Sequence, residues 1–308
     1  MKRILIVGEL NVDLIVSGLS ALPVLGRELL CEEFQMALGS SSAISASWLA
    51  TLGARVDFWG KVGRDFYGDF VVSELEGRGV GTKGIIRDPG LRTGVTFSLT
   101  YRQDRALFTY LGSIAALRLQ DLDLSLMARY HHLHSASIFL QPGLRPGLPT
   151  LYQAAKEAGL TTSLDSGWDP QEHWGHDIYA LLPYVDFFLP NESEALNLTG
   201  ANTIEEATTE LSRYAGTMVV KLGREGTLAR TGEQVWKAPG FEVEVVDTTG
   251  AGDAFNAGFL YAHIVEGRPI PEALCFANAC GAIAVTTVGG ATAPPSAAAV
   301  DAFIRERR

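Results

Sequence analysis

Short apolar runs alternating with helix-patterned stretches constrain this chain more than any other feature. Residues 4–7, 56–59, 132–135, 162–164, 185–189 and 218–221 are largely apolar and of strand length. Helical patterns at 42–52, 68–76, 148–158, 192–198 and 204–214 fall between several of them. Apolar strands alternating with helices imply a mainly parallel sheet covered on both faces, an α/β fold. With 308 residues and 47% hydrophobic content, the chain can bury a sizeable core as one large unit or two smaller ones. Ligands of such sheets bind beyond the carboxyl ends of the strands. Asp13, Asn191 and Asp253 each follow a strand candidate, so the pattern brings them to one edge.

The densest chemistry lies in residues 247–256, Asp-Thr-Thr-Gly-Ala-Gly-Asp-Ala-Phe-Asn. They follow a β-rich stretch at 243–246, expected as a strand, and lead into an apolar helical pattern at 254–265. Gly250 and Gly252 permit backbone geometry that a side chain would obstruct, so N–H groups can converge at the helix start. Such an N-terminus is an anion site, and Asp253 stands beside it as a candidate base. An anion cradle with an adjacent base suits phosphoryl transfer, where positioning and charge stabilisation do most of the work. The plainer reading is a strand–turn–helix junction with Asp253 as a capping residue.

Several other chemistries are excluded. A formal charge of −10 argues against non-specific nucleic-acid binding, which needs a basic face. No apolar stretch reaches membrane-spanning length, and Met1, Lys2 and Arg3 run straight into a strand rather than a signal peptide. Cys31, Cys275 and Cys280 form no disulfide framework, which fits a reducing cytoplasm. The P-loop pattern is absent, and the Gly-x-Gly-x-x-Gly match at 79–84 follows a helix and precedes a strand, the reverse of the dinucleotide context. His131, His132 and His134 lack a nearby partner to complete a metal set, so a structural role is expected.

The string from Asp247 to Phe255 resembles the C-terminal signature of the ribokinase-like (PfkB) family of carbohydrate and nucleoside kinases. Four weaker matches accompany it in family order. Residues 8–13 resemble the opening strand with its substrate-binding aspartate, and 191–194 the Asn-x-x-Glu motif. Residues 221–226 resemble the strand-then-Gly-x-x-Gly segment, and 276–289 the last nucleotide-binding helix and loop.

The resemblance implies one ribokinase-like three-layer α/β/α domain over 1–308, with a small β lid from segments 14–35 and 93–111. Strands are expected at 94–101 and 106–111 around a polar turn at 102–105, with Phe97, Leu99 and Tyr101 on the buried face. It further implies ATP as donor. The amides of Gly250, Ala251 and Gly252 would stabilise the γ-phosphoryl group, and Asp253 would take the proton from the attacking hydroxyl. Asn191 and Glu194 would organise Mg²⁺ and its waters, although a helix cap with its box partner explains the same pair. Lys221, Gly223 and Gly226 would border the triphosphate, and Asn278 the adenosine. A monovalent cation, K⁺, would lie between Asp247 and Thr249 on one side and the carbonyls of Ala284, Thr287 and Gly289 on the other.

On the acceptor side the chain departs from the family pattern of Gly-Gly, three variable residues and Asn. Here Gly39 is followed by Ser40, Ser41 and Ser42, and Ile44 occupies the position of the Asn. The hydroxyl contact of that Asn is lost or taken over by the serines. Asp13 is the candidate acceptor for a diol, with Asn11 near it; Gln141, Phe97 and Tyr110 are further candidates. The reading is phosphorylation of a hydroxymethyl group on a small sugar or sugar acid. A nucleoside kinase is the alternative within the class, with Phe97, Tyr101, Tyr110 or Ile44 forming a cleft for the base; outside it stands a catalytically silent sugar-binding regulator. Open lid edges point to a homodimer.

Overall fold

The computed structural model describes residues 2–101, 104–175, 177–290 and 292–307. β1 (Arg3–Val7), β2 (Asn11–Ser17) and β3 (Glu33–Leu38) precede α1 (Ser41–Leu52). β4 (Arg55–Gly63) leads through α2 (Phe66–Gly77) to β5 (Gly81–Asp88) and then to β6 (Gly94–Tyr101) and β7 (Asp104–Tyr110). After several 3₁₀ turns come β8 (His132–Ser135), α3 (Leu148–Glu157), β9 (Thr161–Leu164), α4 (Ile178–Leu181) and β10 (Phe187–Phe188). α5 (Glu192–Thr199), α6 (Ile204–Leu211), β11 (Thr217–Lys221), β12 (Thr227–Thr231) and β13 (Gln234–Ala238) follow. α7 (Ala251–Leu260), α8 (Ile270–Ala284) and α9 (Ala297–Arg307) are the last elements.

The main sheet has nine strands in the order β13-β12-β11-β10-β9-β8-β1-β4-β5. It is parallel from β11 to β5, with β12 and β13 added antiparallel at one edge. β1 shows why both faces are covered. Its side chains alternate, so Ile4 and Ile6 join the core built with α1, α7 and α8, while Leu5 and Val7 join the opposite core built with α3. Helices therefore lie on both faces of a mostly parallel sheet, as the alternating pattern requires.

A second sheet, in the order β3-β2-β6-β7, forms the lid. β6 spans 94–101, as read from the sequence, but β2 begins at Asn11 and so carries Asn11 and Asp13 inside the lid sheet, β3 runs on to Leu38, and β7 begins at Asp104 rather than at 106. The expected polar turn at 102–105 includes Arg102 and Gln103, which lie outside the described residues.

The exposure of β6 reverses the expectation. Phe97 is 47% exposed, whereas Thr96 and Ser98 are buried. The reason is register. Asp13 pairs with Thr96, and Thr96 with Thr109, so these polar residues share one face of the lid. Phe97 and Tyr110 occupy the other face.

Two further expectations change. Residues 243–246 form no strand: the amides of Val246 and Asp247 both donate to the carbonyl of Val285, at 2.8 and 3.2 Å, instead of to a ladder neighbour. The helix expected at 254–265 begins earlier, at Ala251, and ends in a π turn over Tyr261–Val265. Among the described residues no helix is long and apolar enough to cross a membrane.

Candidate active site

The acceptor side is built where β2, the turn before α1 and the end of β1 meet. A Cβ on Gly39 would stand 2.1 Å from Asp13 Oδ1 and 2.5 Å from Asn11 Nδ2, so only glycine lets the chain pass there. Asn11 Nδ2 donates to Asp13 Oδ1 (2.8 Å) and to Thr96 Oγ1 (3.1 Å), which orients both side chains on the polar lid face.

The three serines divide their work. Ser40, at φ 73°, caps α1: its hydroxyl donates to the Glu9 carbonyl (2.6 Å) and accepts from the Ala43 amide (3.0 Å). Ser42 donates its hydroxyl (2.5 Å) and its amide (3.1 Å) to the Glu9 carboxylate. Ser41 alone of the three is partly exposed, and its hydroxyl accepts from Ser137 at 3.0 Å. Ile44, 3% exposed, is absorbed into the core and offers nothing to a sugar hydroxyl. Gln141 is buried with its amide on Glu9 (3.1 Å) and the Ala136 carbonyl (2.7 Å). Phe97 and Tyr110 do not join this group, because the register turns them to the face opposite Asp13.

Across from this group lies the turn into α7. Gly250 adopts φ 72°, and a Cβ there would meet the Gly290 backbone at 2.5 Å. Among the described residues the amides of Gly250 and Gly252 have no acceptor; that of Ala251 reaches the Thr248 carbonyl at 3.4 Å. Asp253 is buried in the first turn, and its carbonyl accepts from Ser45 of α1 at 3.3 Å. The cradle and the candidate base are thus adjacent.

The loop before the cradle is pinned by Asp247. Its carboxylate accepts from the Thr249 amide (2.9 Å) and hydroxyl (2.7 Å) and from the Gly289 amide (2.9 Å). This joins the two loops that the cation reading pairs. The Gly289 carbonyl, however, is engaged by both the amide (3.0 Å) and the hydroxyl (2.9 Å) of Thr292.

A cleft of about 970 Å³ opens on the cradle, lined by Lys221, Gly223, Gly226, Val243, Val245, Thr248 and Gly252 among others. The valines expected in a strand instead form an apolar wall. Asn278 also lines the cleft, but its side chain bonds Thr227 (2.6 Å) and the carbonyls of Ala238 (3.1 Å) and Pro239 (3.0 Å). It holds the wall in place with the polar atoms expected to meet adenosine.

Asn191 and Glu194 form a complete capping box at the start of α5. The Asn191 amide and side chain donate to Glu194 at 3.0 and 2.7 Å, and the Glu194 amide returns a bond of 2.9 Å. Burial, then the nearby charge of Asp165, pushes the Glu194 carboxyl up to about 7. Among the described residues no cluster of three His, Cys, Asp or Glu is placed to hold a metal by itself. Mg²⁺ here would need phosphate oxygens as its remaining ligands, which suits an ion that arrives with its nucleotide.

Sequence reasoning missed Asp165, Asn256 and Glu9. Asp165 directly follows β9, and its carboxylate accepts from Lys221 Nζ (2.6 Å) and Asn256 Nδ2 (2.5 Å). The signal was available, since a carboxylate just past a strand end is what singled out Asp13. The histidines are structural, as expected: His132 bonds Thr161 and Ser163 at 2.8 and 2.7 Å, and His134 shares Ser163 at 2.7 Å.

Comparison with known proteins bears on the family and the fold. Residues 1–297 match the family model described as pfkB family carbohydrate kinase. Fructokinase-2 of Solanum habrochaites is 32% identical over 312 residues, covering 94% of this chain and 92% of that one. Ribokinase of Bacillus subtilis is 28% identical over 318 residues, covering 96% and 97%. The solved structure of Arabidopsis thaliana ribokinase complexed with ribose and ATP superposes with a TM-score of 0.87 at 26% identity, over 99% of each chain. A lid, an amide cradle beside a buried aspartate and a match over nearly the whole length lead to one assignment: the chain belongs to the pfkB family of carbohydrate kinases, the sugar-kinase phosphotransferases.

Proposed function

We propose that this sugar kinase moves the γ-phosphoryl group of ATP to a hydroxymethyl group of a small sugar or sugar acid. The observation that carries the reading is the turn at Gly250–Gly252, two of whose amides lack an acceptor among the described residues, set directly before buried Asp253. Donors fixed in place where charge develops stabilise the transition state without reorganising. Asp253 accepts the hydroxyl proton as the acceptor oxygen attacks phosphorus. Asp13 and Asn11 hold neighbouring hydroxyls, with Ser41 as the serine left open to them. ATP lies in the cleft with its triphosphate toward Lys221, Gly223 and Gly226.

Mg²⁺ would neutralise phosphate charge beside Glu194 and Asn191, through water. The Asp247–Gly289 link supports a K⁺ site that orders the cradle loop, with the carbonyls of Ala284 and Thr287 as its remaining protein ligands.

A nucleoside acceptor is less well served, because Phe97 and Tyr110 face away from Asp13 and Ile44 is sealed in the core. A silent regulator has no need of a base beside an amide cradle. On the outer lid face, Phe34, Phe97, Phe108 and Tyr110 stand exposed, which favours a homodimer through the lid, with each chain acting as a single catalytic unit. Three free cysteines suit a reducing cytoplasm.

The test is ADP release measured against pentoses, hexoses, keto-sugar acids and nucleosides. Asp253→Asn should then cut turnover on the true substrate by about 10²-fold or more while leaving the melting curve in place. A variant that keeps the wild-type rate removes Asp253 from the role of base.

A further inference from the structure

Lys221 ends β11 at the floor of the cleft, with its side chain only 12% exposed. Its ammonium donates to Asp165 Oδ2 (2.6 Å) and Asn256 Oδ1 (3.3 Å). An ammonium has three protons, and among the described residues the third has no acceptor. The direction in which it can be used is set by Gly252: a Cβ placed there would lie 3.5 Å from Nζ. The group therefore sits against the cradle turn, on the cleft side, within reach of whatever anion the Gly250 and Gly252 amides hold.

Stability alone does not account for this arrangement. Burial works against the charged ammonium, and a buried ion pair is often no better than well-packed apolar residues of the same volume. Here burial is overcome by the charges of Asp165 and Glu194, which hold the lysine protonated. The two acceptors come from separate elements, Asp165 after β9 and Asn256 one turn along α7 from Gly252. They fix the end of an otherwise flexible stem in one place.

We infer that Lys221 is a catalytic residue that donates to a non-bridging oxygen of the phosphoryl group in flight, with Asp165 and Asn256 as its positioning residues. This rests on the phosphoryl-transfer reading above. In the step, the acceptor oxygen forms its bond to the γ-phosphorus and loses its proton to Asp253. The bond from that phosphorus to the bridging oxygen breaks, and its electron pair leaves with ADP. Lys221 keeps its proton throughout and offsets negative charge on the equatorial oxygens.

The experiment compares the full-length wild-type protein with Lys221→Met and Asp165→Asn. Wild type must first release ADP with a member of the acceptor panel; inactivity on the whole panel despite ATP binding overturns the transfer reading and this inference together. With wild type active, Lys221→Met should lower kcat by about 10²-fold or more, the scale for losing one transition-state donor. Affinity for ADP, which lacks the γ-phosphate, should change less than about threefold, and acceptor KM should hold. A Lys221→Met enzyme with kcat within threefold of wild type overturns the inference and leaves the transfer reading standing. Asp165→Asn tests the positioning claim by a route independent of that variant's folding. Without the carboxylate the ammonium loses its proton at lower pH, so kcat should gain an alkaline decline that wild type lacks. A profile unchanged in shape overturns the inference even where Lys221→Met does not fold.

Discussion

Glu9 carries the most strongly conflicted charge on the acceptor side. Its carboxyl is buried behind Gly8, yet three donors point at it: the Ser42 hydroxyl and amide and the Gln141 side chain. Burial is the largest influence and, with a contribution from Asp253, pushes the group up to about 7; the Ser42 donors pull the other way. A carboxyl whose folded value is raised binds its proton more tightly in the folded chain. Its contribution to stability is then fully present below the unfolded value near 4.5 and is lost as pH rises to about 7. The loss is on the order of 3 kcal/mol at most, since each tenfold gain in proton affinity is worth about 1.4 kcal/mol. Glu9→Gln removes the titration. The fall in Tm between pH 5 and pH 8 should therefore be smaller in the variant than in wild type. Glu194 titrates over a similar range in both proteins, so the difference isolates Glu9. Equal falls in the two proteins would show that Glu9 is ionised in both folded and unfolded chains. Nothing local in the sequence distinguished this glutamate, because its partners at 42 and 141 are distant along the chain and its burial follows from the fold.

At the level of elements, the glycines of the cradle play different parts. Gly250 needs its positive φ and has the Gly290 backbone where a side chain would go. An alanine there meets both a conformational cost of about 1 kcal/mol and a clash of its Cβ with the Gly290 backbone, which cannot swing aside as a side chain could. Gly252 has only the flexible Lys221 side chain near it, at ordinary contact distance. Gly250→Ala should thus lower unfolding free energy by roughly 2 kcal/mol or more, while Gly252→Ala should stay within about 0.5 kcal/mol of wild type. Denaturant titration of both variants checks this, and equal losses would contradict it. The alternation of strands and helices was legible because strands buried on both faces are apolar along their length, and that signal is local. The lid faces were not. Phe97 and Thr96 both suit a strand, and which of them turns toward Asp13 is fixed by pairing with β2, more than 80 residues away. Residues 243–246 misled for a related reason: Val243 and Val245 line a cleft rather than a ladder, and β-branched side chains serve either purpose.

Over the whole molecule, the acceptor and donor sides meet along one seam between α1 and α7. Ser45 of α1 donates to the carbonyl of Asp253, and Trp48 of the same helix donates its indole N–H to the carbonyl of Gly290 at 2.6 Å. Gly290 in turn packs against Gly250, the residue that shapes the cradle. The helix that begins at the serines of the proposed acceptor site is therefore fastened, two turns on, to the loop that backs the proposed phosphate-binding turn. A rigid helix transmits a shift at one end to the other, so filling the acceptor site should bias the geometry of the cradle. Such coupling is a free energy shared by the two ligands and must act equally in both directions. Calorimetric titration of a non-hydrolysable ATP analogue, with and without saturating acceptor, measures it directly. Trp48→Phe keeps most of the buried ring and removes the indole donor to Gly290, at a cost near 1 kcal/mol for the lost bond. In the variant the acceptor should enhance nucleotide affinity several-fold less than in wild type, while nucleotide affinity without acceptor stays nearly the same. Undiminished enhancement would mean that the sites communicate by another path, such as the lid sheet that carries Asp13.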